Sequence, residues 1–312
     1  MNTRRNNLQR WVLPDFPTMA LTQIKPARQP VTIRSALHMA EQLLPQRYES
    51  AHIDAEVLLA HAIMQNRVYL HAWPERNLSA RQMRRYSNLI RRRAAGEPVA
   101  YLTGRREFWS LSLGVTPATL IPRPETELLV EQALRYIPSD TDCHIADLGT
   151  GCGAIALAIA SERPSSWVTA TDIDARALDV ARSNARYLHI DNVKFTPGNW
   201  CDPLRGQRFH IIISNPPYIR TGDPCLSQGD LRCEPRHALI AGTEGIDAIR
   251  IIVGEAKMYL RDQGWLLVEH GHEQQERVLA LFRQHGYTHV EGATDMAGHG
   301  RMVMGRHCPS PV

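Results

Sequence analysis

The sequence predicts an α/β protein: a mostly parallel β-sheet covered by helices on both faces, preceded by a small bundle of helices. Three observations lead there. From Cys143 onward, short apolar runs alternate with segments of helical period. The stretch before Gly96 carries helical stripes and no strand-like run. A glycine-dense stretch, Gly149-Thr150-Gly151-Cys152-Gly153, follows the first apolar run and opens a helix.

The first element is a leader. Residues 1–30 hold Arg4, Arg5 and Arg10 but no apolar core, and Pro14, Pro17, Pro26 and Pro30 interrupt the remainder of the segment. A disordered leader is expected there rather than a secretory signal, with Met19 as a candidate start. Residues 31–104 are expected to form a helical domain. Ile33, Ala36, Leu37, Ala40, Leu43 and Leu44 recur at helical spacing, as do Ala55, Leu58, Leu59, Ala62 and Ile63. Ser79 is placed to cap a third helix running to Ala95, which Gly96-Glu97-Pro98 stops. Arg81, Arg84, Arg85, Arg91, Arg92 and Arg93 load that helix with charge. They read either as a solvated face or as a contact for an acidic protein or ribonucleoprotein.

Residues 105–130 form a connector rich in proline, expected to hold a short hairpin and a helix starting near Glu125. Residues 131–307 carry the alternating pattern. Strands are expected at His144–Leu148, Trp167–Thr171, Val193–Phe195, Phe209–Ser214, Gly264–Glu269, Thr288–Glu291 and Met302–Gly305. Helices are expected at Ala154–Ser161, Ala175–Leu188, Gly245–Leu260 and Glu273–His285. Such alternation implies right-handed crossovers.

Composition narrows the function classes. The 312 residues suit two domains. No apolar run approaches the roughly 18–20 residues that cross a bilayer. The net charge of +4 is too small to demand nucleic acid. The six cysteines form no CxxC pair, so reduced thiols in a cytoplasmic protein are expected, without a metal. His270-Gly271-His272 lacks a third ligand nearby and reads as a strand-end turn.

Two motifs carry chemistry. Ile145-Ala146-Asp147-Leu148 is an apolar strand containing an acid, and the glycine loop follows at once. Glycines there let the backbone turn sharply and approach a ligand. Asp172 ends the next strand, where an acid can accept both hydroxyls of a ribose. With Ala154, the loop also satisfies the loose GxGxxA dinucleotide fingerprint, so S-adenosylmethionine and a nicotinamide dinucleotide both fit. Asp147 favours the former: it can meet amino or ammonium groups, but it repels a pyrophosphate. Trp200, after the third strand, is a candidate to pack beside an adenine, or else a half-buried core side chain.

The second motif is Asn215-Pro216-Pro217-Tyr218, leaving the end of a buried strand. Two prolines fix φ and remove two N–H donors. The Asn215 side-chain oxygen and the Pro216 carbonyl can accept both hydrogens of one NH₂ group, while Tyr218 covers its flat face. An amide nitrogen is a poor nucleophile because its lone pair is delocalised. Accepting both N–H bonds raises its electron density and aligns it for methyl transfer.

With these residues placed, the chain resembles the protein-(glutamine-N5) methyltransferases, most closely the HemK/PrmC family. The resemblance covers roughly residues 31–306. It rests on Gly96-Glu97-Pro98-Val99-Ala100-Tyr101-Leu102-Thr103-Gly104, on Arg106-Glu107-Phe108-Trp109 and on Leu120-Ile121-Pro122-Arg123-Pro124-Glu125-Thr126-Glu127. Asp147-Leu148-Gly149-Thr150-Gly151, Asn215-Pro216-Pro217-Tyr218 and Glu234-Pro235 complete it. The resemblance implies a seven-stranded Rossmann-like class I methyltransferase domain behind a helical domain that docks the protein substrate. It implies S-adenosyl-L-methionine held by Asp147, Gly149, Thr150, Gly151, Cys152, Gly153, Asp172, Trp200 and Asn215. It implies that Asn215, Pro216, Pro217 and Tyr218 grip the glutamine of the GGQ loop of peptide chain release factors.

The tetrapeptide is shared with DNA adenine and some RNA methyltransferases, so the Leu120-to-Glu127 segment is the sharper mark. Arg123 and Glu127 are candidates to order a lid by pairing with each other or with substrate backbone; a plain helix start is the alternative. Cys152 stands where the family has Thr or Ser, and the Gly298-His299-Gly300-Arg301 tail is unusual. The rival readings are a ribosomal-protein glutamine methyltransferase, an adenine-N6 methyltransferase of DNA or RNA, and a non-catalytic cofactor-binding module. A monomer is expected, with no direct nucleic-acid or membrane partner.

Overall fold

The computed structural model describes residues 30–44 and 50–308. Most of the expected leader, with Met19, lies outside them. The chain divides into two compact units with the boundary between Asn88 and Leu89.

In the first unit, α1 (Ile33–Leu43) starts where Thr32 Oγ1 accepts the Ser35 N–H at 3.2 Å. Helix α2 (Ala51–Ile63) ends on Met64 in the left-handed region, and α3 (Arg67–Ala72) is capped by Asn66. Helix α4 (Ala80–Ala94) begins at a reciprocal capping box. Ser79 Oγ accepts from Gln82 N and Gln82 Oε1 accepts from Ser79 N. Ile33, Ala36, Ala40, Ala55, Leu58, Leu59 and Tyr86 are buried, and the Tyr86 hydroxyl donates to the Ala55 carbonyl. Buried Glu56 gathers Arg67, His52 and His71 around it.

The second unit opens with the rest of α4. Here the arginine-rich helix is more than a solvated face: Arg92 pairs with Glu97, and buried Arg93 reaches Asp230 at 2.8 Å. Helix α5 (Val99–Thr103) stops at Gly104, φ +72°. Strands β1 (Arg105–Phe108) and β2 (Leu111–Gly114) form the expected antiparallel hairpin. Its two turn residues, Trp109 and Ser110, both have positive φ, as a tight hairpin requires. A 3-10 turn at Pro124–Thr126 leads into α6 (Glu127–Tyr136).

The large sheet then builds up: β3 (His144–Leu148), α7 (Ala154–Glu162), β4 (Trp167–Asp172), α8 (Ala175–Leu188), β5 (Val193–Pro197) and β6 (Phe209–Ser214). It continues with α9 (Asp247–Ala256), β7 (Leu260–Glu269), α10 (Gln275–Gln284), β8 (Thr288–Thr294) and β9 (Gly300–Arg306). The seven strands lie in the order β5-β4-β3-β6-β7-β9-β8. Strands β3 to β7 are parallel, and β9 joins antiparallel to both β7 and β8. This is the mostly parallel α/β sheet expected from the alternating pattern, in the seven-stranded Rossmann-like form that the family resemblance implies. Two apolar layers flank the sheet. Ile145, Ile211, Ile213 and Leu267 belong to the layer with α6 and α7, and Ala146, Ile212, Leu266 and Val268 to that with α9 and α10. Alternate residues of one strand thus enter opposite layers, which is why Ile145-Ala146 on β3 and Ile211-Ile212-Ile213 on β6 are consecutive apolar residues.

Several boundaries differ from expectation, two of them by four residues. The helix expected to reach Leu260 ends at Ala256 and passes through a 3-10 turn, Lys257–Tyr259. The strand expected from Gly264 starts at Leu260. Polar Arg261, Asp262 and Gln263 hide its beginning, where the register with β6 also shifts.

Strand order reverses between β3 and β6. Chain segments leaving their carboxyl ends diverge and open a crevice there.

Candidate active site

The first wall of the crevice is the glycine loop after β3. The N–H groups of Gly149 and Thr150 both donate to the Thr171 carbonyl at 2.9 Å, folding the loop back onto β4. Gly149, Gly151 and Gly153 take φ of +72°, +58° and +88°, where side chains are strained. At Gly153 a Cβ would also meet Leu157 and Ala181 at 3.1–3.2 Å, so this glycine seats α7 against α8.

Behind the loop stands Asp147, fully buried on β3. Its Oδ2 accepts from the Thr150 hydroxyl at 2.6 Å and from Ala156 N at 3.2 Å. Its Oδ1 is buried without a partner among the described residues. Burial pushes this carboxyl up to about 7, against the two hydrogen bonds that favour its ionised form. Asp172 ends β4 on the crevice wall. Gly151 N donates to one of its oxygens and Asp174 N to the other, each at 2.9 Å, so the carboxylate is fixed with lone pairs to spare.

The crevice is lined by Gly149, Gly151, Asp172, Ile173, Ala177, Trp200, Asn215 and Pro217. Ala118, Thr119 and Leu120 from the connector, Gly198 and Asn199, and His237 and Ala238 complete it. Of the residues singled out in the sequence, Asp147, Thr150, Cys152, Gly153, Pro216 and Tyr218 are not on that lining. Thr150 serves Asp147, and Cys152 is a core side chain whose thiol burial pushes up to about 12. The connector and His237 are additions that the sequence does not announce. Nothing in Ala118-Thr119-Leu120 or a lone exposed histidine signals a site; only chain folding brings them there.

The second wall is the Asn215–Tyr218 loop. Ser214 Oγ donates to the Leu148 carbonyl at 2.8 Å, tying the end of β6 to that of β3. Beyond the prolines the chain is clamped: Ile219 N donates to Leu239 O and Ala241 N donates to Ile219 O. Gln274 Nε2 donates to the Tyr218 carbonyl at 2.9 Å. Asn215 Nδ2 donates to Thr126 Oγ1 at 3.0 Å, which turns Oδ1 the other way. The Tyr218 hydroxyl donates to Oε1 of buried Glu269, at the end of β7, at 3.3 Å. Burial pushes Glu269 up to about 7, opposed by the nearby Thr126 and Tyr218 hydroxyls and by Arg301.

The Leu120-to-Glu127 segment now has a physical role. Arg123 pairs with buried Glu234, whose other oxygen accepts Ile121 N at 2.9 Å. Glu127 does not pair with Arg123, as expected of a lid; its Oε1 accepts the Trp109 N–H at 2.8 Å. The segment is a strut that delivers Thr126 to Asn215.

The donor set suits S-adenosylmethionine better than a dinucleotide. Asp172 offers two acceptors for vicinal ribose hydroxyls, Trp200 and Ile173 offer apolar surface for a base, and the orphaned Asp147 oxygen needs a donor or cation. A pyrophosphate near the Asp147 carboxylate is disfavoured.

Comparisons with known proteins agree. Residues 35–104 match the PrmC N-terminal domain, and residues 124–226 match the methyltransferase small domain. The release factor glutamine methyltransferase of Coxiella burnetii is 46% identical over 276 residues, 88% of this chain and 99% of that protein. The Salmonella typhimurium protein of that name is 49% identical over 261 residues, 84% of this chain and 94% of its own. In fold, the chain is similar to the hMettl16 catalytic domain solved with a 3'UTR hairpin, with a TM-score of 0.54. That likeness spans 69% of this chain and 82% of that one at 15% identity. By its full-length relatives and both domain matches, the chain belongs to the family of release factor glutamine methyltransferases.

Proposed function

We propose that this enzyme methylates N5 of the glutamine in the GGQ motif of peptide chain release factors, and so modulates translation termination. S-adenosyl-L-methionine, when bound, supplies an electrophilic methyl group. Asp172 holds the ribose hydroxyls, Trp200 flanks the base, the Gly149–Gly153 loop admits the cofactor closely, and Asp147 compensates its positive charge. Thr150, Cys152 and Gly153 act from behind, by holding Asp147 and packing the loop.

One observation carries the acceptor side: the Asn215 amide is held with its N–H₂ toward Thr126. Its oxygen is then left to accept from a second NH₂ group. The Pro216 carbonyl takes the other hydrogen, the Pro217 ring keeps the loop stiff, and the Tyr218 ring covers the amide plane. Both N–H bonds of a glutamine amide are thereby polarised as positive charge develops on nitrogen. The proton leaves late, to water or a backbone acceptor.

In this reading residues 31–104 dock the protein substrate, residues 105–130 brace the site, and residues 131–307 carry out transfer. The enzyme works as a monomer in the cytoplasm, a setting consistent with its free cysteines. Among the described residues, no helix is long and apolar enough to cross a membrane.

The test uses labelled cofactor offered with purified release factor, ribosomal protein and DNA in separate reactions. Label on the release factor that vanishes when its GGQ glutamine is replaced is expected; label on DNA alone overturns the reading. Asn215→Ala should lower kcat on the order of 10²-fold, the loss of one preorganised acceptor. Near-normal turnover in that variant refutes the role given to the loop.

A further inference from the structure

Two prolines stiffen the acceptor loop as far as Pro217, because each fixes its own φ. The peptide that follows Tyr218 has no such restraint of its own. Both of its polar groups are instead held from outside. Ile219 N donates to the Leu239 carbonyl at 2.9 Å. The Tyr218 carbonyl accepts from Gln274 Nε2, also at 2.9 Å. A peptide bonded at its N–H and its C=O by different segments cannot turn over without losing both bonds.

The Gln274 amide is used at both ends. Its Oε1 accepts the Gly271 N–H at 2.8 Å, and Nε2 donates a second time to the Gly245 carbonyl at 3.1 Å. One N–H and two carbonyls fix which end of the amide lies where, since only oxygen can accept and only NH₂ can donate twice. One side chain thus joins the acceptor loop, the segment entering α9 and the turn after β7. Gly245 makes room for the junction. With φ +73°, a Cβ there would lie 2.6 Å from the Tyr218 carbonyl oxygen and 2.9 Å from Gln274 Nε2. The tyrosine ring lies against the same turn: a Cβ on Gly271 would sit 3.6 Å from Tyr218 Cδ2. Its hydroxyl donates to Glu269 Oε1 at 3.3 Å. Residues 269–274 therefore meet Tyr218 at its hydroxyl, its ring edge and its carbonyl.

We propose that Gln274 is a positioning residue for methyl transfer: by locking the Tyr218–Ile219 peptide it sets the tyrosine ring over the acceptor amide. The inference rests on the role given to Tyr218 above. Gln274 is not on the crevice lining and acts through the tyrosine, without touching cofactor.

The experiment is a set of steady-state assays on the full chain with release factor, with cofactor affinity measured by calorimetry. Gln274→Glu keeps the acceptor for Gly271 N and puts a carboxylate oxygen against two carbonyls. At about pH 8 it should lower kcat on the order of 10-fold while cofactor Kd stays within about 2-fold. Near pH 6 the crowded carboxyl is protonated and can donate to the Tyr218 carbonyl again. The ratio of its kcat to the parent's, taken at the same pH, should then recover to within about 3-fold. The decisive arm is coupling. On a Tyr218→Ala background, Gln274→Glu should cost less than about 2-fold more, because there is no ring left to place. A full multiplicative loss on that background overturns the proposal, as does parental kcat in Gln274→Glu beside a slow Tyr218→Ala, or an equal loss of kcat and cofactor affinity. Near-normal turnover in Tyr218→Ala is a different failure: it refutes the role given to the tyrosine, and the proposal with it. Should Gln274→Glu fail to fold, Gln274→Met, which removes both polar ends without adding charge, takes its place at about pH 8 and in the coupling arm under the same criteria.

Discussion

The loops after β3 and β6 face one another across the crevice, and they are made stiff by opposite means. The first is held by glycines, whose left-handed backbone lets two N–H groups fold back onto Thr171. The second is held by prolines, which remove N–H groups and leave acceptors. Each is backed by a buried carboxyl raised to about 7, Asp147 behind the first and Glu269 behind the second. Each carboxyl has one oxygen without a partner among the described residues. The difference lies in who uses the other oxygen. Asp147 is bonded by the loop and helix that face the cofactor region, whereas Glu269 is bonded by Tyr218 of the acceptor loop. One carboxyl is suited to compensate a bound cation and the other to anchor the tyrosine of the acceptor loop. The same residue class at equivalent strand ends thus does different work, because different neighbours own its lone pairs.

The largest expected effect breaks the support of the second loop alone. Glu234 is buried and holds both Arg123 and the Ile121 N–H. Glu234→Ala leaves a guanidinium and an amide unpaired, at a cost on the order of 3 kcal/mol. The melting temperature should fall by about 10 °C. Below the transition, kcat should fall more than cofactor affinity does, because the strut seats Thr126. Equal losses in both would show that the strut supports the whole crevice and not one wall.

How much of this was legible in the sequence depends on the range of the interactions. Strand β6 and helix α8 match the expected bounds to the residue, since the Ile211–Ile213 run and an amphipathic segment are local signals. Both motif loops were legible because glycines and prolines declare backbone geometry. Helices α3 and α5 were not, being 6 and 5 residues long and below the length at which periodicity speaks. Glu234, Thr126 and Glu269 were visible as residues, and the first two lay inside recognised segments. Their partners lie 113, 89 and 51 positions away, and no local pattern encodes such pairs.

A smaller effect separates the two carboxyls by pH. With cofactor saturating, Asp147 is already committed, so kcat reports Glu269. Its ionised form is favoured by Thr126, Tyr218 and Arg301 and disfavoured by burial and by Glu125. If the carboxylate anchors Tyr218 of the acceptor loop, kcat should rise as pH climbs through about 7, and the limb should be absent in Glu269→Gln. At low cofactor, kcat/KM should show a second rising limb from Asp147, missing in Asp147→Asn. A single limb that survives both substitutions would assign the titration to the substrate or to another group.

The smallest effect concerns stability without ligand. A carboxyl whose folded-state value is raised binds its proton more tightly folded than unfolded. Its contribution is therefore complete below its unfolded value, about 4, and is lost as pH rises toward about 7. Asp147→Asn and Glu269→Gln both remove a charge that burial disfavours. At about pH 8 each ligand-free variant should melt above the parent, on the order of 3–5 °C, with the gain fading toward about pH 5. Thermal stability alone then treats the two carboxyls alike. Adding S-adenosylmethionine distinguishes them, because a ligand stabilises only the form that binds it. The parent and Glu269→Gln should gain stability together, while Asp147→Asn should gain much less. A ligand-induced shift in Asp147→Asn equal to the parent's would mean that its unpartnered oxygen does not face a cation, and the division of labour between the two loops would have to be drawn elsewhere.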